Sequence, residues 1–165
     1  MFRPSRFEFG NGFFDFFNTF RFHISDIIIA GSSIEETTMS YGYKKLIKIS
    51  YPEAIIKIKE ALQKEGFGVL TEIDVKATLK KKLGVDYDNY IILGACNPPF
   101  AYQALQLEKD IGLLLPCNII VYESQGQTFV ASIRPTVAMN MVNNKELHDV
   151  AVQVEAKLKI VIDSI

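Results

Sequence analysis

The chain has 165 residues, with 18 basic and 19 acidic side chains, and 48% of its residues are hydrophobic. This length suits one domain whose core is large enough to fold without disulfides or structural metals. The formal net charge of -1 provides no broad positive field, so we expect no nucleic-acid partner. Two cysteines do not make a disulfide framework, and no run of about 18 apolar residues occurs, so we expect a cytoplasmic protein without stable membrane insertion.

The first 38 residues differ in composition from the rest. Nine of the twelve phenylalanines lie between Phe2 and Phe22, without a helical or strand period. Charged residues interrupt this run, which argues against a signal peptide, and basic residues are too sparse for a membrane-surface anchor. We predict that residues 1–38 are an atypical extension, either native or translated from an upstream start codon, and that residues 39–165 form the domain. The pattern leaves open whether the extension is ordered.

Regular patterns begin after Met39. Residues 46–49 predict a short strand. The segment from Ser50 to Gly66 predicts a helix, because apolar residues recur on one stripe and glycine favours a helix end. Ser50 and Glu53 have the spacing of a capping box.

Three further elements follow along the chain. Residues 67–73 alternate with the period of a strand that turns one face inward. Asp74 is predicted to cap a short helix that ends at Leu83. Residues 90–95 predict another strand, and Asn97 is expected to cap the helix that follows it.

The last third of the chain predicts a hairpin and a long helix. Residues 117–123 and 128–134 are β-rich and flank a turn at 124–127. Asn143 and Glu146 have capping spacing ahead of a helix with one apolar face. The order is therefore a strand, a helix, four strands with short helical excursions, and a helix. This order predicts an α+β fold, with an antiparallel sheet and helices on one of its faces.

Three strings resemble the family called domain of unknown function 302. They are GFGVLTEID at residues 66–74, GACNPP at 94–99 and IGLLLPCN at 111–118, and the resemblance spans about residues 43–165. It implies a fold like one repeat of the TATA-box-binding protein and a homodimer, but no established activity. Similar sequences often carry a histidine where this chain has Tyr102, which counts against a histidine-assisted metal site here.

The two cysteines, Cys96 and Cys117, are each followed by an asparagine at the end of an apolar run. If they end neighbouring antiparallel strands, opposed Cα atoms lie about 4.5–5.5 Å apart, within reach of a disulfide or a shared ligand. The helix after Asn97 would direct its positive end toward Cys96 and favour a thiolate. Two acidic residues at the end of a third strand, Glu72 and Asp74, are expected to border the same site. The candidate ligand-binding residues are Cys96, Asn97, Cys117, Asn118, Glu72, Asp74 and Tyr102.

Two functional hypotheses follow from these residues. The first is a dimeric module that binds or senses a small molecule in a pocket at Cys96 and Cys117. The alternative is a thiol-dependent redox protein or enzyme that uses the same cysteines. A third interpretation is that both are small buried side chains without chemistry. No catalytic residue or cofactor is assigned, and no metal is expected, because two thiols supply only half of a structural zinc site.

Overall fold

A six-stranded antiparallel sheet forms the centre of the fold. The computed structural model describes residues 36–38 and 40–165, and the strand order across the sheet is β1-β2-β6-β5-β4-β3. The strands are β1 (Glu36–Thr38), β2 (Gly42–Ile47), β3 (Gly68–Asp74), β4 (Tyr90–Cys96), β5 (Cys117–Ser124) and β6 (Gln127–Ile133). The helices are α1 (Tyr51–Lys64), α2 (Val75–Leu83), α3 (Pro98–Leu107), α4 (Pro135–Ala138) and α5 (Lys145–Asp163). Short 3-10 helices span Lys109–Leu114 and Met139–Met141.

The predicted α+β fold with an antiparallel sheet is confirmed. A strand forms at each of the five predicted places, although the first one spans Gly42–Ile47 where residues 46–49 were predicted. In addition, β1 is a sixth strand that pairs with β2 at the edge of the sheet. Three residues of the predicted extension, Glu36–Thr38, therefore belong to the sheet. Residues 1–35 and Met39 lie outside the described part of the chain, so what the composition predicts of them stays a prediction.

Helices α1 and α5 pack against one face of the sheet and enclose the core. Helix α1 buries residues spaced three or four apart, including Ile58 and Leu62, and the apolar face predicted for the last helix is buried along α5. Leu93, Ile119 and Val121 project from the sheet into the same core. Burial of each such side chain contributes about 1.5–3 kcal/mol. Within the described residues, no helix has the length and hydropathy needed to cross a membrane.

The helix ends follow the sequence signals in part. Gly66, with a φ of +83°, follows α1, and the Asp74 side chain accepts a hydrogen bond from the Ala77 amide at 2.8 Å, as predicted. Ser50 occupies the N-cap of α1, but its side chain makes no capping hydrogen bond. The cap of α5 is Asn144 and not the predicted Asn143, because the Asn144 side chain accepts from the Leu147 amide.

Strand β3 departs from its predicted alternation. The register of β3 on β4 shifts between Val69 and Thr71, so Leu70 is an extra residue in the strand. Such a bulge exchanges the faces of all following residues. Val69 is half-buried, whereas Ile73 is 47% exposed. The predicted inward face therefore holds only for the first part of the segment.

Candidate functional site

The two cysteines lie at adjacent strand ends, as predicted. Cys96 is the last residue of β4 and Cys117 is the first residue of β5. Cys117 is paired with Ala95, one residue before Cys96. Because successive residues of a strand point to opposite faces, the two cysteines are not a facing pair, and the register does not favour a disulfide. Both thiols are free.

A small cavity lies where these strand ends meet α3 and α5, and we call it the strand-end cavity. Its volume is about 20 Å³, which is room for about one water molecule. Its wall is almost entirely apolar. The lining residues are Ala95, Cys96, Asn97 and Cys117 from the strand ends, Phe100, Ala101 and Ala104 from α3, Val150 and Val154 from α5, and Phe67, Leu115 and Met139.

Both thiols are held in their neutral form. Burial raises the pKa of Cys117 to about 11, with a smaller contribution from nearby Cys96, and burial also raises the pKa of Cys96. The expectation that α3 favours a thiolate at Cys96 is therefore wrong. Helix α3 begins with Pro98 and Pro99, which have no backbone N–H, so two of the donors that stabilise an anion at a helix start are missing.

Asn97 has a structural partner. Its side chain is buried, and its Nδ2 donates a hydrogen bond at 3.2 Å to the carbonyl oxygen of Glu65, just after α1. Asn97 is the N-cap residue of α3 by position, but its side chain makes no capping bond, in contrast to the prediction. A Cβ at Gly66 would lie 3.1 Å from the same nitrogen. The amide thus ties the end of α1 to the start of α3.

The two acidic candidates lie elsewhere on the sheet. In β3 it is Gly68 that pairs with Cys96, whereas Asp74 pairs with Ile91 toward the opposite end. The structure therefore does not bring Glu72 and Asp74 to the end of the sheet where Cys96 and Cys117 lie. The reason is strand direction, because β3 begins at the cysteine end and runs away from it.

The remaining two candidates also lie outside the lining of the cavity. Asn118 is exposed and pairs with Gly94 across β5 and β4. Tyr102 is 68% exposed on α3. Of the predicted residues, the structure thus brings together Cys96, Asn97 and Cys117.

Known proteins share the sequence pattern and the fold of this chain. Residues 43–165 match the family described as Domain of unknown function DUF302. The chain belongs to the DUF302 family. The fold is similar to the crystal structure of an uncharacterized conserved DUF302 protein from Bacillus stearothermophilus, with a TM-score of 0.72. The two sequences are 32% identical, and the match covers 76% of this chain and 98% of that one. No curated protein matches.

The wall of the strand-end cavity in this DUF302 domain includes Val150, Val154 and Met139, which the sequence patterns do not assign to a site. Val150 and Val154 belong to the apolar face predicted for the last helix, but that pattern does not show what the face encloses. Met139 carries no sequence signal for a site. Among the described residues, no three histidine, cysteine or acidic side chains are placed to hold a metal ion.

Proposed function

We propose that this DUF302 domain is a homodimeric module that binds or senses a small molecule in the strand-end cavity. The observation that carries the proposal is an apolar cavity at a junction of two strand ends and two helices, bordered by Cys96 and Cys117. Ligand sites in proteins are concave, mostly apolar and placed between such elements. The resemblance to the family supports the homodimer.

An aromatic row suggests where the second copy docks. The rings of Tyr90 and Tyr122 stack at 5.5 Å between centroids, and those of Tyr122 and Phe129 at 5.2 Å. These residues alternate with Val121 and Val130, which are buried under the helices, so the row lies on the other face of the sheet. Aromatic side chains are enriched at protein interfaces. We propose that this face contacts the partner.

Native mass spectrometry of the purified protein tests both parts of the proposal. We expect twice the mass of the chain, together with a small-molecule adduct. Tyr122→Arg should shift the population to monomer, because it places a charge in the aromatic row. Tyr102→Arg is the matched control on α3 and should leave the dimer intact. A monomer in the unmodified chain would contradict the dimer, and a chain that binds no small molecule would contradict the binding module.

Thiol labelling distinguishes the binding module from the alternative, a thiol-dependent redox protein or enzyme. A pKa of about 11 for Cys117, against the ordinary 9.0, leaves about a hundredfold less thiolate at pH 8. We therefore expect iodoacetamide to alkylate Cys117 on the order of a hundredfold more slowly in the folded protein than in denaturant. Cys96 should also react more slowly than in the unfolded chain. Labelling of either cysteine at the unfolded rate would favour the redox alternative.

A further inference from the structure

We infer that the ligand of the strand-end cavity is an uncharged, apolar molecule and that it enters by displacement of α3. The inference rests on the proposed binding function and names the class of ligand that this site accepts.

The chemistry of the wall selects the ligand class. Asn97 is the one lining residue with a polar amide, and its Nδ2 already donates to the Glu65 carbonyl. No charged side chain lines the cavity, and burial keeps the thiols of Cys96 and Cys117 protonated. Transfer of a charged group into such surroundings is strongly unfavourable. Apolar cavities instead stay dry and accept molecules such as benzene.

The size of the cavity requires a wall that moves. A volume of about 20 Å³ cannot enclose an organic molecule, so a ligand that is held inside must displace part of the lining. Helix α3 supplies Phe100, Ala101 and Ala104 to the wall, and Ala104 is its one buried residue. Helix α5, on the other side, buries seven residues. Since hydrophobic stabilisation scales with buried area, α3 is the easier of the two to displace.

The two ends of α3 are held by side-chain amides. At the first end, Asn97 bonds to the Glu65 carbonyl at 3.2 Å. At the last end, the Nδ2 of Asn144 donates to the Leu107 carbonyl at 3.4 Å. Each such bond contributes about 0.5–1.5 kcal/mol. Between them, α3 contacts the core through the buried Ala104 and through the half-buried side chains of Phe100 and Leu107. This apolar contact is smaller than that of α5, so α3 is the wall that an entering ligand moves outward.

Toluene and benzoate form a matched pair of probes, because they have similar sizes and differ in charge. We expect toluene to shift the methyl NMR signals of Val150 and Val154 in the full chain and benzoate to leave them unchanged. Ala101→Leu places a larger side chain in the cavity and should weaken toluene binding at least tenfold. Ala156→Leu, at an exposed position of α5, is the control and should bind toluene as the unmodified chain does.

Hydrogen exchange tests the route in the unmodified chain, so the inference remains testable if Ala101→Leu does not fold. Amides of α3 should exchange at least tenfold faster than those of α5, and toluene should slow them. Equal exchange of the two helices would overturn the route through α3. If benzoate binds the unmodified chain and Ala101→Leu abolishes that binding, the cavity accepts a charged ligand. That result would overturn the ligand class and leave the proposed binding function standing. Binding of neither probe, with no adduct in native mass spectrometry, would overturn both.

Discussion

Gly94→Ala is expected to lower the free energy of unfolding by about 1–3 kcal/mol, because the site has no room for a methyl group. A Cβ at this position would lie 2.3 Å from Oγ1 of Thr71 and 2.7 Å from Cγ of Pro116. The threonine hydroxyl can rotate, but the proline ring cannot, so the strands must separate. Urea unfolding at equilibrium measures the loss.

Gly68→Ala is the matched control in the neighbouring strand. No atom lies within 4 Å of a Cβ built there, and its φ is not positive. We expect a change within about 0.5 kcal/mol, since alanine also restricts the unfolded chain. If both substitutions destabilise the protein equally, close packing at Gly94 is not the cause.

The close packing at Gly94 also bears on the strand-end cavity. Gly94 pairs with Thr71 on one side and with Asn118 on the other, two residues before Cys96. The glycine therefore lets β3, β4 and the segment before β5 approach one another where the cavity begins. This is a physical reason for glycine in the GACNPP string that does not involve chemistry at the cysteines.

The predictions that succeeded depend on local signals. Helix α1 is predictable because its apolar period and its terminal glycine, Gly66, act within one element. The cap of α2 is equally local, since Asp74 bonds an amide three residues ahead. The adjacent strand ends at Cys96 and Cys117 follow from the order of elements, because sequential strands usually neighbour each other.

The predictions that failed depend on distant residues. The side chain of Asn97 bonds a carbonyl 32 residues away, and no cap signal indicates that partner. The pairing of Cys117 with Ala95 is set by packing across the whole sheet, so the offset of one residue is invisible to strand patterns. The bulge at Leu70 is also invisible in the sequence, because the alternation of apolar and polar residues does not show where a strand contains an extra residue. The cavity itself needs Val150 and Val154, which lie more than 30 residues beyond Cys117.

Lys45→Met should cost about 1.5–3 kcal/mol of unfolding free energy, because it removes a buried ammonium that binds the end of α5. Lys45 is 7% exposed. Its Nζ donates to the carbonyl oxygens of Asp163 at 2.8 Å and Ile165 at 2.9 Å. A cation at this position also complements the negative end of the helix dipole. Methionine keeps the apolar stem but leaves these carbonyls without their donor.

Lys44→Met separates this contact from a general loss of positive charge. Lys44 is the preceding residue of β2 and therefore lies on the other face, with its Nζ 5.1 Å from the centroid of the Phe129 ring. Lys44 is half-buried, and a cation–π contact that keeps part of its solvent contributes about 1 kcal/mol, so the control should lose less than Lys45→Met. Hydrogen exchange should show faster exchange in the last turn of α5 in Lys45→Met alone. If that turn stays protected in Lys45→Met, the ammonium does not hold the end of the helix. The attachment of α5 to β2 then depends on apolar contacts.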